Sequence, residues 1–107
     1  KNSISYMKEN LHKQLNIFDL ANNINLTEKT FSRRFKKALN ISPLQYLKNL
    51  RVEKAKDLLI STNRSFSDIT LEVGYFDENS FRKLFKQETS LNSKDFRKRF
   101  QQTVNFS

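Results

Sequence analysis

Apolar residues recur along most of the chain three and four positions apart, which is the spacing of an amphipathic α-helix. Residues that begin or end helices interrupt this pattern. Ser42, which precedes Pro43 and Gln45, predicts an N-cap followed by a first helical position and a capping box. Further N-caps are predicted at Asn16, Thr27, Ser65, Asp77 and Ser93. The sequence therefore predicts an all-α fold, with helices over about residues 3–14, 17–24, 28–39, 43–62, 66–73, 78–89 and 94–102.

The second half of the chain repeats the helical pattern of the first half. Fifty positions separate the matching apolar residues, because Phe31, Phe35, Ile41 and Tyr46 recur as Phe81, Phe85, Leu91 and Phe96. Further upstream the offset is 49, so the extra residue falls in a turn, where an insertion is easily tolerated. Such a repeat predicts two helix-turn-helix units joined by one long helix. The predicted domain covers residues 1–107, with a first subdomain over about 3–42, a linker helix over about 43–62 and a second subdomain over about 65–101.

The charge of the chain indicates an anionic partner. Lys and Arg number 20 against 11 acidic residues, which gives a net charge of +9. Nucleic acid, an acidic protein and an anionic membrane surface all fit this charge. The chain has no Cys and one His (His12), so we predict no disulfide, no metal site and no cofactor. No apolar run is long enough to cross a bilayer.

In each unit one helix, predicted over residues 28–39 in the first and 78–89 in the second, has apolar residues on one face and basic residues on the other. Projection at about 100° per residue predicts a buried face of Phe31, Phe35, Ala38 and Leu39 in the first unit and of Phe81, Leu84 and Phe85 in the second. The opposite faces carry Lys29, Ser32, Arg33 and Lys36, and Asn79, Arg82, Lys83 and Lys86. Arg and Lys side chains donate to guanine, Asn pairs with adenine, and Glu78 is able to accept from cytosine. These two faces therefore predict contacts with bases in a major groove.

Other residues of these and the following helices are placed to contact the phosphates of the DNA backbone. Lys36 and Lys86 lie a turn further along, where we expect them to contact phosphates. The helix starts at Ser42 and Ser93 offer main-chain N–H groups to phosphates as well.

Simpler explanations compete with several of these assignments. A basic helix face is often only solvated surface, and Phe side chains four residues apart indicate core packing rather than base stacking. Asp77 and Glu78 are explained by a helix cap and a surface residue without catalysis. Gly74 is explained by a left-handed helix end. No nucleophile, base and orienting group occur together, so we predict that the protein is not an enzyme.

Two long segments carry a resemblance to a known family. Residues 20–59 (LANNINLTEKTFSRRFKKALNISPLQYLKNLRVEKAKDLL) and 66–100 (FSDITLEVGYFDENSFRKLFKQETSLNSKDFRKRF) resemble the DNA-binding domain of AraC/XylS-type bacterial transcription regulators. The shared motifs are Phe31-x-Arg33-x-Phe35-Lys36, Ser42-Pro43-x-x-Tyr46, Arg51-Val52-x-x-Ala55-x-x-Leu58-Leu59 and Val73-Gly74-Tyr75-x-Asp77. The resemblance implies seven helices, with two recognition helices on one rigid linker helix. By position, it places base contacts at Lys29, Thr30, Ser32 and Arg33, and at Glu78, Asn79, Arg82 and Lys83.

The chain departs from the family pattern at four positions. The family commonly has Gly at the positions of Asn40 and Ser90, Pro at the position of Ser93 and Ala at the position of Thr70. We expect these differences to affect local stability and to leave the fold intact.

Three functional hypotheses follow from the sequence. The leading one is a cytoplasmic, nucleoid-associated regulator of transcription that binds specific double-stranded DNA in two major-groove segments about 34 Å apart. One alternative is a basic helical module that binds an acidic protein or an anionic membrane, and another is that only the first unit contacts bases. Because the chain does not begin with Met, we also expect a longer regulator, with an effector or dimerisation domain upstream and RNA polymerase as a possible partner.

Overall fold

The computed structural model describes residues 2–104 of the chain, and side chains as far as Gln101. Within these residues the chain forms seven α-helices and no strand, which confirms the predicted all-α fold. Lys1 and residues 105–107 of the predicted domain lie outside the described residues. The helices are α1 (Ser3–Glu9), α2 (Ile17–Asn23), α3 (Glu28–Leu39), α4 (Pro43–Ser61), α5 (Phe66–Glu72), α6 (Glu78–Thr89) and α7 (Ser93–Val104).

The first helix is shorter than its predicted range of 3–14. Asn10 donates both its main-chain N–H and its side-chain amide to the carbonyl oxygen of Tyr6, at 3.1 and 2.9 Å. The Asn side chain therefore competes with the continuing helix for its hydrogen bonds, and α1 ends at Glu9. Leu11 still packs against the first core from the following turn.

The start of α7 corrects the predicted cap at Ser93. The side-chain oxygen of Asn92 accepts the N–H of Asp95 at 2.8 Å, so Asn92 is the capping residue. Ser93 is the first helical residue and is buried. The repeat contains the signal for this arrangement, because Asn92 matches Ser42 and Ser93 matches Pro43 at the offset of 50.

The capping box predicted at the start of α4 forms only in part. The Ser42 hydroxyl oxygen accepts the N–H of Gln45 at 3.2 Å, as expected of an N-cap. The side chain of Gln45 instead donates to Asn49 Oδ1 at 2.9 Å, further along the same helix.

The chain divides into two compact units between Leu50 and Arg51, a point inside α4. Each unit has its own apolar core, and α4 contributes residues to both. The core of the first unit consists of Met7, Leu20, Ala21, Phe31, Phe35 and Leu47. The core of the second unit consists of Val52, Ala55, Leu59, Phe66, Ile69, Val73, Phe81, Phe85 and Phe96.

Two residues of the predicted core of α3 are exposed. Ala38 and Leu39 lie in the last turn of the helix, and Leu39 keeps 41% of its surface accessible. The α3 residues in the first core end at Phe35. Helical periodicity gives the direction of a side chain around the axis, but not how far along the axis the core extends.

Long-range hydrogen bonds from α7 satisfy the carbonyl groups at the end of α4 and just beyond it. Arg97 donates to the carbonyl oxygens of Leu59, Thr62 and Arg64 at 3.0, 3.1 and 2.7 Å. Gln101 donates to Leu59 and Thr62 at 3.2 and 2.9 Å. The last carbonyl groups of a helix have no partner within it, so these side chains stabilise the end of α4.

Among residues 2–104, four adopt the left-handed backbone conformation at helix ends and turns. Gly74 has φ 89°, as predicted, and Asn25 takes the matching position of the first repeat with φ 58°. Asn40 and Ser90 end the two matching helices α3 and α6, with φ 63° and 66°. Asn visits this region readily, whereas Ser does so less often.

We expect Ser90→Gly to stabilise the protein by about 0.5–1 kcal/mol. A left-handed non-Gly residue costs about 1–2 kcal/mol, and the greater freedom of glycine in the unfolded chain offsets part of the gain. Urea unfolding followed by circular dichroism measures the difference, with Asn40→Gly as the matched control and a smaller expected gain. An unchanged or lower urea midpoint for Ser90→Gly would contradict the strain assigned to Ser90.

Candidate nucleic-acid interface

Up to its last turn, α3 has one buried apolar face and one exposed polar face, as the sequence predicts. Phe31 and Phe35 are buried and contact each other edge to face with ring centroids 5.6 Å apart. Phe35 makes a similar contact with Tyr46 of α4, also at 5.6 Å. These rings hold one side of α3 against the first core, so its opposite side faces solvent.

The solvent-facing side of α3 carries a line of cations. Lys29, Arg33 and Lys36 are exposed, and they make no ion pair with any residue that the structure describes. Thr30 and Ser32 lie beside them and are half-buried. The face therefore offers donors from three long side chains and two hydroxyl groups, which suits acceptors on base edges and phosphates.

The matching helix of the second unit, α6, is held by a larger aromatic cluster. Phe81 is fully buried, stacks on Phe66 with centroids 5.5 Å apart and lies 4.7 Å from the ring of Tyr75. Phe85 contacts Phe66 and Phe96 edge to face, at 5.7 and 5.4 Å. The opposite side of α6 exposes Asn79, Arg82, Lys83 and Lys86.

Asp77 caps the start of α6. Its carboxylate accepts the N–H groups of Asn79 and Ser80 at 3.0 and 3.4 Å and the hydroxyl of Ser80 at 2.8 Å. These hydrogen bonds, the Ser80 hydroxyl foremost, lower the pKa of Asp77 below its usual value. The predicted cap is therefore a charged one, which also suits the positive end of the helix dipole.

We expect the stability that Asp77 provides to be lost in acid. Because its pKa is lower in the folded state, the carboxylate stabilises the fold fully above the unfolded pKa of about 4. This contribution disappears as the pH falls through the folded pKa. Asp77→Asn keeps a capping side chain but does not titrate. In thermal melts at pH 6, 5, 4 and 3, the melting temperature of this variant should fall less in acid than that of the unchanged chain. Identical falls would contradict the role of Asp77.

The second unit pairs two of its predicted base-contacting residues with each other. Glu78 Oε2 accepts from a terminal nitrogen of Arg82, one helical turn further on. Glu78 Oε1 accepts the hydroxyl of Ser67 in α5 at 2.5 Å, and the Arg82 guanidinium lies 5.4 Å from the centre of the Phe66 ring. The prediction from sequence included neither Ser67 nor Phe66 in the site. The Glu–Arg spacing of four residues was the available signal for the ion pair.

The predicted phosphate-contacting residues differ in their accessibility. Lys36, Lys86 and Ser42 are exposed, whereas Ser93 keeps only 9% of its surface accessible. The burial of Ser93 disfavours a phosphate contact by its hydroxyl group.

Residues that would indicate other kinds of site are not clustered. Among the described residues, no three His, Asp or Glu side chains come together as a metal site, and His12 lies exposed. No helix in the described part of the chain has the length and apolarity needed to span a membrane.

Two helix-turn-helix units, each with one helix that exposes a basic face, define a nucleic-acid-binding domain. Comparisons with known proteins agree with this class. A family model described as "Helix-turn-helix domain" matches residues 20–99. The chain is 32% identical over 100 residues to the lactose operon transcription activator of Staphylococcus xylosus, which covers 94% of this chain and 36% of that protein. The chain thus spans about a third of the length of this relative.

Solved structures share the fold. An AraC-type transcriptional regulator from Chromobacterium violaceum aligns over 99% of this chain and 92% of its own, with a TM-score of 0.86 and 24% identity. The DNA-binding domain of the global transcriptional factor AdpA, solved in complex with a target DNA, aligns over 96% of this chain and 92% of its own, with a TM-score of 0.89 and 24% identity. The chain belongs to the AraC-type helix-turn-helix family.

Proposed function

We propose that this chain binds specific double-stranded DNA and thereby regulates transcription, with α3 and α6 entering successive segments of the major groove. One observation carries this proposal: both copies of the repeat bury the aromatic side of a helix and expose its basic side. A helix in this position of a helix-turn-helix unit has the width to enter a major groove. The membership of the chain in a helix-turn-helix family supports the same function.

The side chains that we assign to DNA divide into two groups by position along each helix. Base contacts are assigned to the N-terminal half of each recognition helix, where DNA-binding helices usually approach base edges. Phosphate contacts are assigned to Lys36 and Lys86 and to the start of α4 at Ser42. At α7 the main-chain N–H groups of the first turn, at Ser93, are assigned to the same role. The base-contacting group consists of Lys29, Thr30, Ser32 and Arg33 in α3, and of Glu78, Asn79, Arg82 and Lys83 in α6.

Selection of binding sites from random duplex DNA tests this proposal. We expect an enriched motif with two separate conserved patches, one for each recognition helix, and an affinity that falls as salt is raised because counterions are released from phosphates. Random duplex DNA and anionic vesicles serve as competitors. Selection without an enriched motif, or equal competition by vesicles, would show instead a basic module that binds anionic surfaces. A single conserved patch would restrict base recognition to one unit.

The whole regulator is proposed to be longer than this chain. The Staphylococcus xylosus activator is nearly three times as long as the segment it shares with this chain, which supports an additional effector or dimerisation domain. Such a regulator would act in the bacterial cytoplasm on the nucleoid, without catalytic activity of this domain, and would have RNA polymerase as a partner. Co-purification of the full-length protein with RNA polymerase on promoter DNA, but not on unrelated DNA, tests this part.

A further inference from the structure

We propose that Ser67, in the helix that precedes the second recognition helix, determines DNA specificity by positioning Glu78 and Arg82. Ser67 lies in α5, outside the face that is assigned to base contacts. The inference rests on the proposed function, because it requires Arg82 to contact a base.

Three contacts connect α5 to the Arg82 side chain. The Ser67 hydroxyl donates to Glu78 Oε1 at 2.5 Å, and the other oxygen of the same carboxylate accepts from Arg82. The guanidinium group also lies over the Phe66 ring, with 5.4 Å between Cζ and the ring centre. The Glu78 side chain is therefore held through both of its oxygens, and the Arg82 side chain through a charged partner and an aromatic face.

This arrangement orders a side chain that is otherwise free to move. The Arg82 side chain keeps 49% of its surface accessible, and an exposed arginine loses many rotamers when it binds. Contacts with α5 restrict these rotamers before DNA arrives. Because Glu78 engages one terminal nitrogen, the remaining N–H groups of the guanidinium stay available for guanine O6 and N7.

The ordered pair also has the chemistry to discriminate between base pairs. An arginine donates to guanine, and a carboxylate accepts from the N4 amino group of cytosine, so the pair complements the two bases of G·C. A carboxylate held against a base edge that carries only acceptors is repelled. Ser67 keeps Glu78 in this place, and the cost of mismatched bases then adds to specificity.

The first unit has a different set of residues at the matching positions. Phe18 stands at the position of Ser67, at an offset of 49, and Ser32 stands at the position of Arg82, at an offset of 50. Glu28 is present but exposed, and it has no arginine four residues further on. The positions that the first unit recognises therefore provide an internal reference for any change made at Ser67.

A double-mutant cycle on the selected DNA site tests the inference. Affinities of the chain for this site, and for copies with each base pair replaced in turn, are measured for Ser67→Ala, Ser67→Thr, Arg82→Ala and the Ser67→Ala/Arg82→Ala pair. Ser67→Ala should reduce discrimination at the base pair that depends on Arg82 by roughly three- to tenfold, the range expected for the ordering of one side chain. Ser67→Thr keeps a hydroxyl group at this position and should keep the discrimination. In the Arg82→Ala background, Ser67→Ala should have a smaller effect, because only the contact of Ser67 with Glu78 then remains.

Ser61→Ala is the matched control, because this exposed serine donates to the carbonyl of Asp57 in its own helix. Equal losses at every base pair after Ser67→Ala, or a loss in the Arg82→Ala background as large as in the unchanged chain, would overturn the positioning role. If Arg82→Ala leaves all base preferences unchanged while the patch of the first unit still discriminates, the inference is wrong and the proposed function stands. If the chain selects no DNA sequence, the proposed function is wrong and the inference with it.

Discussion

Phe81→Ala is expected to destabilise the protein by about 3–5 kcal/mol, the usual cost of removing a buried phenylalanine side chain. Phe81 is 0% exposed and packs between Phe66 and Tyr75, with Phe85 one turn away. The second unit begins at Arg51, and a unit the size of its described residues, 51–104, is typically stable by roughly 3–8 kcal/mol. The substitution therefore leaves this unit marginally folded, and the DNA contacts of α6 should weaken with it.

Urea unfolding followed by circular dichroism measures the change in the free energy of unfolding. Leu71→Ala is the control, because Leu71 lies in α5 of the same unit but is 58% exposed, and we expect a change within about 0.5 kcal/mol. A loss below about 1 kcal/mol for Phe81→Ala would contradict the central position of this ring in the second core.

Arg33→Ala is expected to reduce discrimination between bases at particular positions of the DNA site. A bidentate contact between arginine and guanine is worth about 1–3 kcal/mol of discrimination, which corresponds to roughly 5- to 150-fold in affinity. Arg33 is exposed and makes no ion pair with the residues that the structure describes, so no internal contact has to break before it binds. Affinities for the selected site and for its single-base variants provide the measurement.

Lys36→Ala distinguishes base recognition by Arg33 from a general effect of positive charge. Lys36 lies about one turn beyond Arg33 and about two turns beyond Lys29 on the same face, and we assign it to phosphates. Its removal should weaken binding to all sequences alike and reduce the salt dependence by about one counterion. If Arg33→Ala weakened specific and random DNA to the same extent, its assignment to bases would be wrong.

Local sequence predicted most helix boundaries because the capping residues act on their own neighbours. Asn16 and Asp19 form the expected reciprocal cap, with hydrogen bonds of 2.9 and 3.1 Å. The bounds of α3 and α6 agree with their predicted ranges. At α7 the capping preference alone was misleading, since both Asn92 and Ser93 favour the N-cap position. The alignment of the two repeats indicates the correct cap, because it places Asn92 at the position of Ser42.

Periodicity was less informative where tertiary contacts decide burial. Arg51 interrupts the apolar side of α4, yet it is buried, with its guanidinium 5.6 Å from the centre of the Tyr75 ring. The same limit applies to the candidate site. The projection of α6 gave the direction of Arg82, but the hydrogen bond from Ser67 to Glu78 joins residues eleven positions apart in different helices. A helical wheel describes one helix at a time and contains no such contact.

The hydrogen bonds that Arg97 and Gln101 donate to the end of α4 form late when the chain folds during synthesis. These donors lie 33 to 42 residues beyond the carbonyl groups that they satisfy. While the ribosome is still adding α5 and α6, the end of α4 has only water or local groups as partners. The second unit therefore reaches its native hydrogen bonding only when α7 has emerged from the ribosome.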